Sequence, residues 1–171
     1  MASNKKPYSN IILKIPEDAE LLAAVGKVAL RSSLLDLVMR MTIKVITGVS
    51  VDDALRATAR TPSRALRERV RKLAKDTLGD GAPFLELEAI LNLADKAAED
   101  RNELIHSDWV HNEGGDPVVQ DPMKGNRPVP TAKELEELAD RIEQIYGALN
   151  HSRLEGSLRK ALDQRAKKTK H

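Results

Sequence analysis

One segment of the chain gathers residue types suited to acid–base and phosphate chemistry. Residues 97–109, AAEDRNELIHSDW, place Arg101, Asn102 and His106 near the predicted end of a long helix. Asn102 and His106 are four residues apart and share a helix face, and the helix dipole favours a protonated histidine in the last turn. An imidazole that titrates near neutral pH can give or take a proton, and a guanidinium can hold a phosphate. These three residues are therefore candidate catalytic groups.

The same residues also have a purely structural interpretation. Arg101 occupies a position in the apolar stripe of its helix, where a lone charge is costly unless it is paired. Glu99, Asp100 or a carboxylate of another helix would then be its partner, and His106 would only cap the helix end. The spacing of the residues leaves both interpretations open.

A second charged feature lies earlier in the chain. Residues 56–75 contain eight lysine and arginine residues and a single acid, Glu68. Four of the cations share one predicted helix face and are called the basic stripe below: Arg64, Arg67, Arg71 and Lys75. Such a stripe can neutralise the phosphates of a nucleic acid. Alternatively it is a solvated face paired with the acidic residues of the last long helix, Glu134, Glu136, Glu137, Asp140 and Glu143.

Periodicity and end signals predict the helices that must position these groups. A long helix follows Pro16 and stops at Gly48, and a short one opens at Ser50. Another helix begins with an N-cap at Thr61 followed by proline, and ends at Gly79. Further helices are predicted from about residue 83 to 107, from the capping box of Thr131 and Glu134 to about residue 150, and, after a break near His151, at the C-terminus.

These elements predict an all-α protein, an up-and-down bundle of four to five helices with mostly antiparallel neighbours. Residues 108–130 are rich in glycine and proline and predict a small loop or hairpin insertion, with Val118–Gln120 as one strand. We expect an N-terminal arm over residues 1–16, a bundle domain over 17–150, and a terminal helix with a basic tail over 151–171.

Composition excludes several classes of protein. The 171 residues contain no cysteine, which removes disulfides, thiolate zinc sites, iron–sulfur clusters and cysteine nucleophiles. Aromatic residues make up 2%, too few for an aromatic platform that binds single-stranded nucleic acid. The four histidines follow no metal-binding pattern and no glycine-rich phosphate loop is present, so we expect neither a metal nor a cofactor. Without a membrane-spanning run or a secretory leader, the expected compartment is the cytoplasm.

Arg101-Asn102-Glu103-Leu104-Ile105-His106 resembles the R-x(4–6)-H motif of HEPN domains, including the polar residue that often follows the arginine. HEPN domains are helical bundles with this motif at the end of a long helix, and Ser107-Asp108-Trp109 is similar to the continuation found in bacterial members. The resemblance covers about residues 19–149. It implies a metal-independent RNA endonuclease of a toxin–antitoxin or defence pair, with Arg101, Asn102 and His106 as catalytic residues and a possible cognate partner protein.

The resemblance also implies a homodimer. Five residues of helix separate the directions of Arg101 and His106 by about 140°, so one copy makes a poor active site. Two copies across a two-fold axis would bring two arginines and two histidines around one phosphate. The alternatives are a non-catalytic bundle that binds a protein or nucleic acid, and a transcriptional regulator, although the segment between Gly48 and Leu78 lacks the short turn typical of helix-turn-helix motifs.

Overall fold

Helices dominate the computed structural model of the protein, which describes residues 17–105, 107–111, 114–121 and 125–168. The elements of these residues are α1 (Ala19–Thr47), α2 (Val51–Thr58), α3 (Ser63–Leu78), α4 (Ala82–Ile105), β1 (Asp108–His111), β2 (Pro117–Asp121), β3 (Gly125–Pro128), α5 (Ala132–Leu154) and α6 (Ser157–Lys168). The predicted all-α bundle with a small insertion is confirmed. The predicted N-terminal arm, residues 1–16, and the last three residues of the basic tail lie outside the described residues.

The ends of the helices follow from local chemistry. The Asp18 side chain accepts hydrogen bonds from the backbone N–H groups of Glu20 and Leu21, which starts α1. Gly48 ends α1 with a φ of 71°, a conformation that glycine adopts without a steric penalty. The predicted capping box of Thr131 and Glu134 begins α5. The start of α3 differs by one residue from the prediction, because Pro62 and not Thr61 is its N-cap, and Pro62 has no side chain that could cap the helix.

One apolar core holds α1, α3, α4 and α5 together. Its largest fully buried side chains come from all four helices and from α6: Val28, Met39, Ile43, Leu66, Val70, Leu87, Leu91, Ile142, Leu149 and Leu158. The short α2 packs on α1, and α6 packs on α4 and α5. The groups on α3 and α4 described below therefore sit on a well-packed support.

Ion pairs reveal the direction of the helices. Arg67 binds Asp95 and the later Arg71 also reaches the earlier Asn92, so α3 and α4 are antiparallel as predicted. Lys27 pairs with Glu136 and Arg31 with Asp140, each 109 residues apart, so α1 and α5 instead run parallel.

The chain turns back between α1 and α3, which explains how α1 and α5 come to be parallel. The Ser63 hydroxyl donates to Asp36 Oδ2 at 2.5 Å. Asp36 lies eleven residues before the end of α1, so the segment containing α2 has returned by about 16 Å along that helix.

The last bend falls later than the sequence indicates. The predicted break before a terminal helix is present, but it follows Leu154 and not His151, because α5 continues to Leu154 and α6 starts at Ser157. Gly156 lies at the bend, where its N–H donates to the His151 carbonyl at 2.9 Å. A Cβ on residue 156 would approach the Ser152 Cα to 2.8 Å, so only glycine allows the two helices to fold back this closely.

The insertion forms a three-stranded antiparallel sheet in the order β1-β2-β3, one strand more than the predicted hairpin. Val119, fully buried, pairs with Trp109 on one side and Arg127 on the other. This register brings Trp109 and Arg127 beside the end of α4. Of the described helices, none is long and apolar enough to cross a membrane.

Candidate functional site

Arg101 and Asn102 lie in the last turns of α4, beside the first turn of α3. A cavity of about 220 Å³, the inner cavity, opens there between α1, α3, α4 and α5. The buried apolar part of its lining consists of Leu35, Ala97 and Ile142. The polar part consists of Asp36, Ser63, Arg64, Arg67, Arg101 and Asn102.

A second cavity of about 460 Å³, the outer cavity, continues from the first along α3 and α4. It is lined by Arg64, Arg67, Glu68, Arg71, Asp95, Ala98, Glu99 and Asn102. The two cavities share Arg64, Arg67, Ala98 and Asn102 and together are called the α3–α4 groove. Three members of the basic stripe, Arg64, Arg67 and Arg71, thus line one groove with Arg101 and Asn102, which are 30 residues or more away in sequence.

Arg101 has no carboxylate partner among the residues the structure describes. Its Nη1 donates to Asn102 Oδ1 at 2.9 Å, and its Nε is enclosed without a hydrogen-bond acceptor. Asp100, one of the predicted partners, instead pairs with Arg141 at 3.0 Å. The prediction that Arg101 is a buried ion-pair partner is therefore wrong for the described part of the chain. A half-buried guanidinium with an unused donor is suited to bind an anion.

The basic stripe does not form a free face. Arg67 is 7% exposed, and its Nε donates to Asp95 Oδ1 at 2.5 Å. Arg71 donates to the other oxygen of Asp95, also at 2.5 Å, and to Asn92 Oδ1 at 2.8 Å. Arg64 stays exposed and pairs with Glu68 at 2.9 Å. One carboxylate thus pairs with both arginines in the middle of the stripe and offsets one of their two charges.

Lys75 lies apart from the other members of the stripe. Its Nζ is 3.2 Å from Asp80 and 5.9 Å from the centre of the Phe84 ring, near the start of α4. The suggested pairing of the stripe with the acidic residues of α5 is also wrong. Three of those acids bind α1 instead: Lys27 contacts Glu136, and Arg31 contacts Asp140 at 2.5 Å and Glu143 at 2.6 Å. Glu134 is bound to Thr131 and Glu137 to Lys133, both within or next to α5.

The Asp95 carboxylate is held in its charged form by the arginines around it. Burial raises the pKa of Asp95, but the hydrogen bonds from Arg71 and Arg67 outweigh burial and leave that pKa below its ordinary value. The carboxylate is therefore ionised at neutral pH, and it fixes the two guanidinium groups along the outer cavity.

His106, the third predicted catalytic residue, lies outside the described residues. The turn that precedes it is held by two side chains of the sheet. Trp109 Nε1 donates to the Leu104 carbonyl at 3.1 Å, and Arg127 Nη2 donates to the Glu103 carbonyl at 2.8 Å. The Ser107 hydroxyl also donates to the Glu103 carbonyl, so side chains of the sheet and of the segment before it together satisfy the end of α4. Arg127 also pairs with the Glu103 carboxylate at 3.2 Å.

We expect Arg127→Ala to lower the free energy of unfolding by about 1–2 kcal/mol, because it removes charge-assisted hydrogen bonds that cap α4. Urea unfolding followed by circular dichroism measures the change. Arg159→Ala is the matched control, since Arg159 forms an exposed pair with Asp163 on α6 and should change stability by no more than about 0.5 kcal/mol. Equal effects of the two substitutions would contradict a capping role for Arg127.

Comparisons with known proteins identify no relative of the chain. The chain matches no protein-family model, no curated protein and no solved structure. Within the described residues, no group of three histidine, aspartate or glutamate side chains is arranged to hold a metal ion.

Proposed function

We propose that the protein is a HEPN-like helical-bundle RNA endonuclease that works without a metal and binds its substrate in the α3–α4 groove. The observation that supports this most directly is the position of Arg101. Its guanidinium lines the inner cavity without a carboxylate partner among the described residues, beside Asn102 and the exposed Arg64. Three donor side chains thus converge at the predicted catalytic end of α4.

Each proposed catalytic residue has a defined role. Cleavage of RNA without a metal needs a base that takes the 2′-hydroxyl proton and an acid that protonates the leaving 5′-oxygen, and histidine serves for both. His106 takes this role. Arg101 stabilises the negative charge that develops on the phosphate oxygens in the transition state. Asn102 orients His106 or contacts the same phosphate.

The site is completed by a second copy of the chain in this proposal. Two copies with their Arg101 ends apposed supply two histidines, one for each proton transfer, and two arginines around one phosphate. The dimer acts in the cytoplasm as one half of a toxin–antitoxin or defence pair, with a cognate partner protein that controls it. Light scattering on the purified protein measures the mass, and a monomer that cleaves RNA would contradict the shared site.

The alternative function is a non-catalytic interaction module, and two observations favour it. Asp95 is paired with two of the four cations of the basic stripe and offsets one of their two charges, which weakens the case for a phosphate track. The outer face of α1 also exposes a row of leucines, with Leu30 at 70%, Leu34 at 45% and Leu37 at 43%. An exposed apolar row of this kind is typical of a surface that contacts another protein.

The test of the proposal is cleavage of a labelled single-stranded RNA by the full-length protein in the presence of EDTA. Cleavage that EDTA does not prevent supports the endonuclease. If the RNA is saturated with protein and is still not cleaved, the result favours the interaction module.

RNA binding should depend on Arg64 more than on other surface arginines. We expect Arg64→Glu to weaken RNA binding about tenfold and to reduce the slope of log K against log salt by about 1, because one phosphate contact is lost and replaced by repulsion. Fluorescence anisotropy at several salt concentrations measures both. Arg159→Glu is the control, since Arg159 also forms an i,i+4 pair but lies on α6. An unchanged slope for Arg64→Glu would mean that the groove does not hold the RNA backbone.

A further inference from the structure

The inner cavity has two chemically different sides. Its floor consists of apolar side chains that are almost fully buried: Leu35 is 6% exposed, Ala97 3% and Ile142 1%. Its rim carries Arg64, Arg101 and Asn102, which open toward the outer cavity. A simple anion site needs no apolar floor, and an apolar ligand needs no arginine rim. The combination fits a flat, apolar group that is attached to a phosphate.

The wall of the inner cavity adds a polar group with a defined direction. Ser63 donates its hydroxyl hydrogen to Asp36 Oδ2 at 2.5 Å, across the gap between α3 and α1. Oδ1 of Asp36 has no hydrogen-bond partner among the described residues, and both Asp36 and Ser63 line the cavity. An ionised carboxylate only accepts hydrogen bonds, so this wall favours a ligand that presents N–H donors.

We propose that the inner cavity is a nucleobase subsite that takes a guanine of the RNA, with the attached phosphate on Arg64 and Arg101. The inference rests on the proposed function for the source of the ligand. Guanine alone among the four RNA bases presents two adjacent N–H donors, N1–H and the N2 amino group, on one edge. Asp36 accepts from both of them, while the base plane packs on the more exposed apolar residues of the lining, Pro62 and Ala98. The subsite places the phosphate of that guanine beside Arg101.

This arrangement gives the protein a preference for one base by a physical route. The Asp36 carboxylate offers only acceptors, so a base without N–H donors displaces water from it and leaves one carboxylate oxygen unpaired, which is costly. Single-stranded RNA is recognised in this way, through the edges of unstacked bases. We expect RNA to be cleaved near a guanine. The distance between the inner cavity and the apposed ends of α4 determines how many nucleotides separate that guanine from the cleaved bond.

The expected affinities can be measured on the intact protein with mononucleotides, without any cleavage. Isothermal titration with the 5′-monophosphates of the four ribonucleosides and with ribose 5-phosphate separates the base from the phosphate. GMP should bind about tenfold more tightly than the other three nucleotides, and ribose 5-phosphate should bind more weakly than all four. Equal affinity for ribose 5-phosphate and GMP would show an anion site alone and would overturn the proposal.

Two substitutions test the two sides of the cavity. Ala98→Leu places a larger side chain at a position that lines both cavities and should weaken GMP binding at least tenfold. Its matched control is Ala148→Leu, which lines a separate apolar cavity between α4 and α5 and should leave GMP binding unchanged. Asp36→Asn keeps the acceptor for Ser63 but adds an N–H donor, so the preference for GMP over AMP should disappear.

The outcomes separate this inference from the proposed function. GMP binding that Ala98→Leu weakens and Asp36→Asn makes unselective, in a protein that cleaves no RNA, would support the subsite and contradict the endonuclease. EDTA-resistant cleavage that is equally fast beside all four bases, with no measurable GMP binding, would overturn the subsite and leave the endonuclease standing.

Discussion

His106→Ala should abolish RNA cleavage while the fold stays intact. Loss of a general acid–base group lowers a rate by about 10²–10⁴-fold, and a site that uses two copies of the histidine loses both at once. Circular dichroism and urea unfolding should match the wild type within about 0.5 kcal/mol, because the proposal gives His106 a chemical and not a structural role. The measurement is the rate of cleavage of a labelled RNA at saturating protein.

His151→Ala is the control for this substitution. His151 is exposed on α5, so its removal takes away an imidazole at another place in the chain. We expect the control to cleave at the wild-type rate. If His106→Ala cleaves as fast as His151→Ala, the endonuclease proposal is wrong and Arg101 belongs to an interaction surface.

Arg101→Ala should also abolish cleavage, with a small loss of stability because the side chain is half-buried. Its only described hydrogen bond goes to the neighbouring Asn102, so the loss should stay near 1 kcal/mol. Mixing inactive and wild-type protein tests the shared site. A mixed dimer of one wild-type and one His106→Ala subunit retains a single histidine for two proton transfers, so an excess of the variant should suppress the wild-type activity.

The helices of the bundle could be predicted from sequence because their signals are local. Asp18, Gly48 and the Thr131–Glu134 capping box act within a few residues, and the structure shows each of them at a helix end. The direction of α1 relative to α5 has no such signal. It depends on how far α2 carries the chain back, which is visible only in the contact between Ser63 and Asp36.

The candidate site could be predicted only in part for the same reason. Periodicity placed Arg67 and Arg71 on one face of α3, but their burial follows from Asp95 on the neighbouring helix. No local pattern distinguishes Asp95 from the exposed acids of α4. Arg127 gave no signal either, because its contact with the end of α4 requires the register that pairs it with Val119.

Asp95→Asn should have the largest effect on stability of any single charge change in the groove. It leaves the nearly buried Arg67 without its counter-charge and also breaks the pair with Arg71. Removing one partner of a buried pair costs about 3–5 kcal/mol, and because the Asp95 side chain is partly exposed we expect about 2–3 kcal/mol. Asp100→Asn is the control, since its pair with Arg141 is solvated on both sides and should cost less than about 1 kcal/mol.

The loss should depend on pH in a defined direction. The folded protein holds the pKa of Asp95 below its ordinary value, so the carboxylate stabilises the fold fully above the unfolded-state pKa of about 3.9. This contribution disappears as the pH falls through the lowered pKa of the folded state. Urea unfolding at pH 7, 5 and 3 gives the difference in the free energy of unfolding between wild type and Asp95→Asn. This difference should be the same at pH 7 and 5 and smaller at pH 3. A difference that is constant over this range would show that the charge of Asp95 is not what stabilises the groove.

The same substitution should strengthen RNA binding although it weakens the fold. Asp95 competes with phosphate for Arg67 and Arg71, and its neutralisation adds one net positive charge to the outer cavity. At neutral pH and at a temperature where the variant stays folded, the RNA affinity should rise several-fold and the salt slope should steepen by up to about 1. Asp100→Asn adds the same charge outside the groove and should change the RNA affinity and the salt slope far less. If the two variants bind RNA equally, the groove is not the path of the RNA, and Asp95 holds α3 to α4 for structural reasons alone.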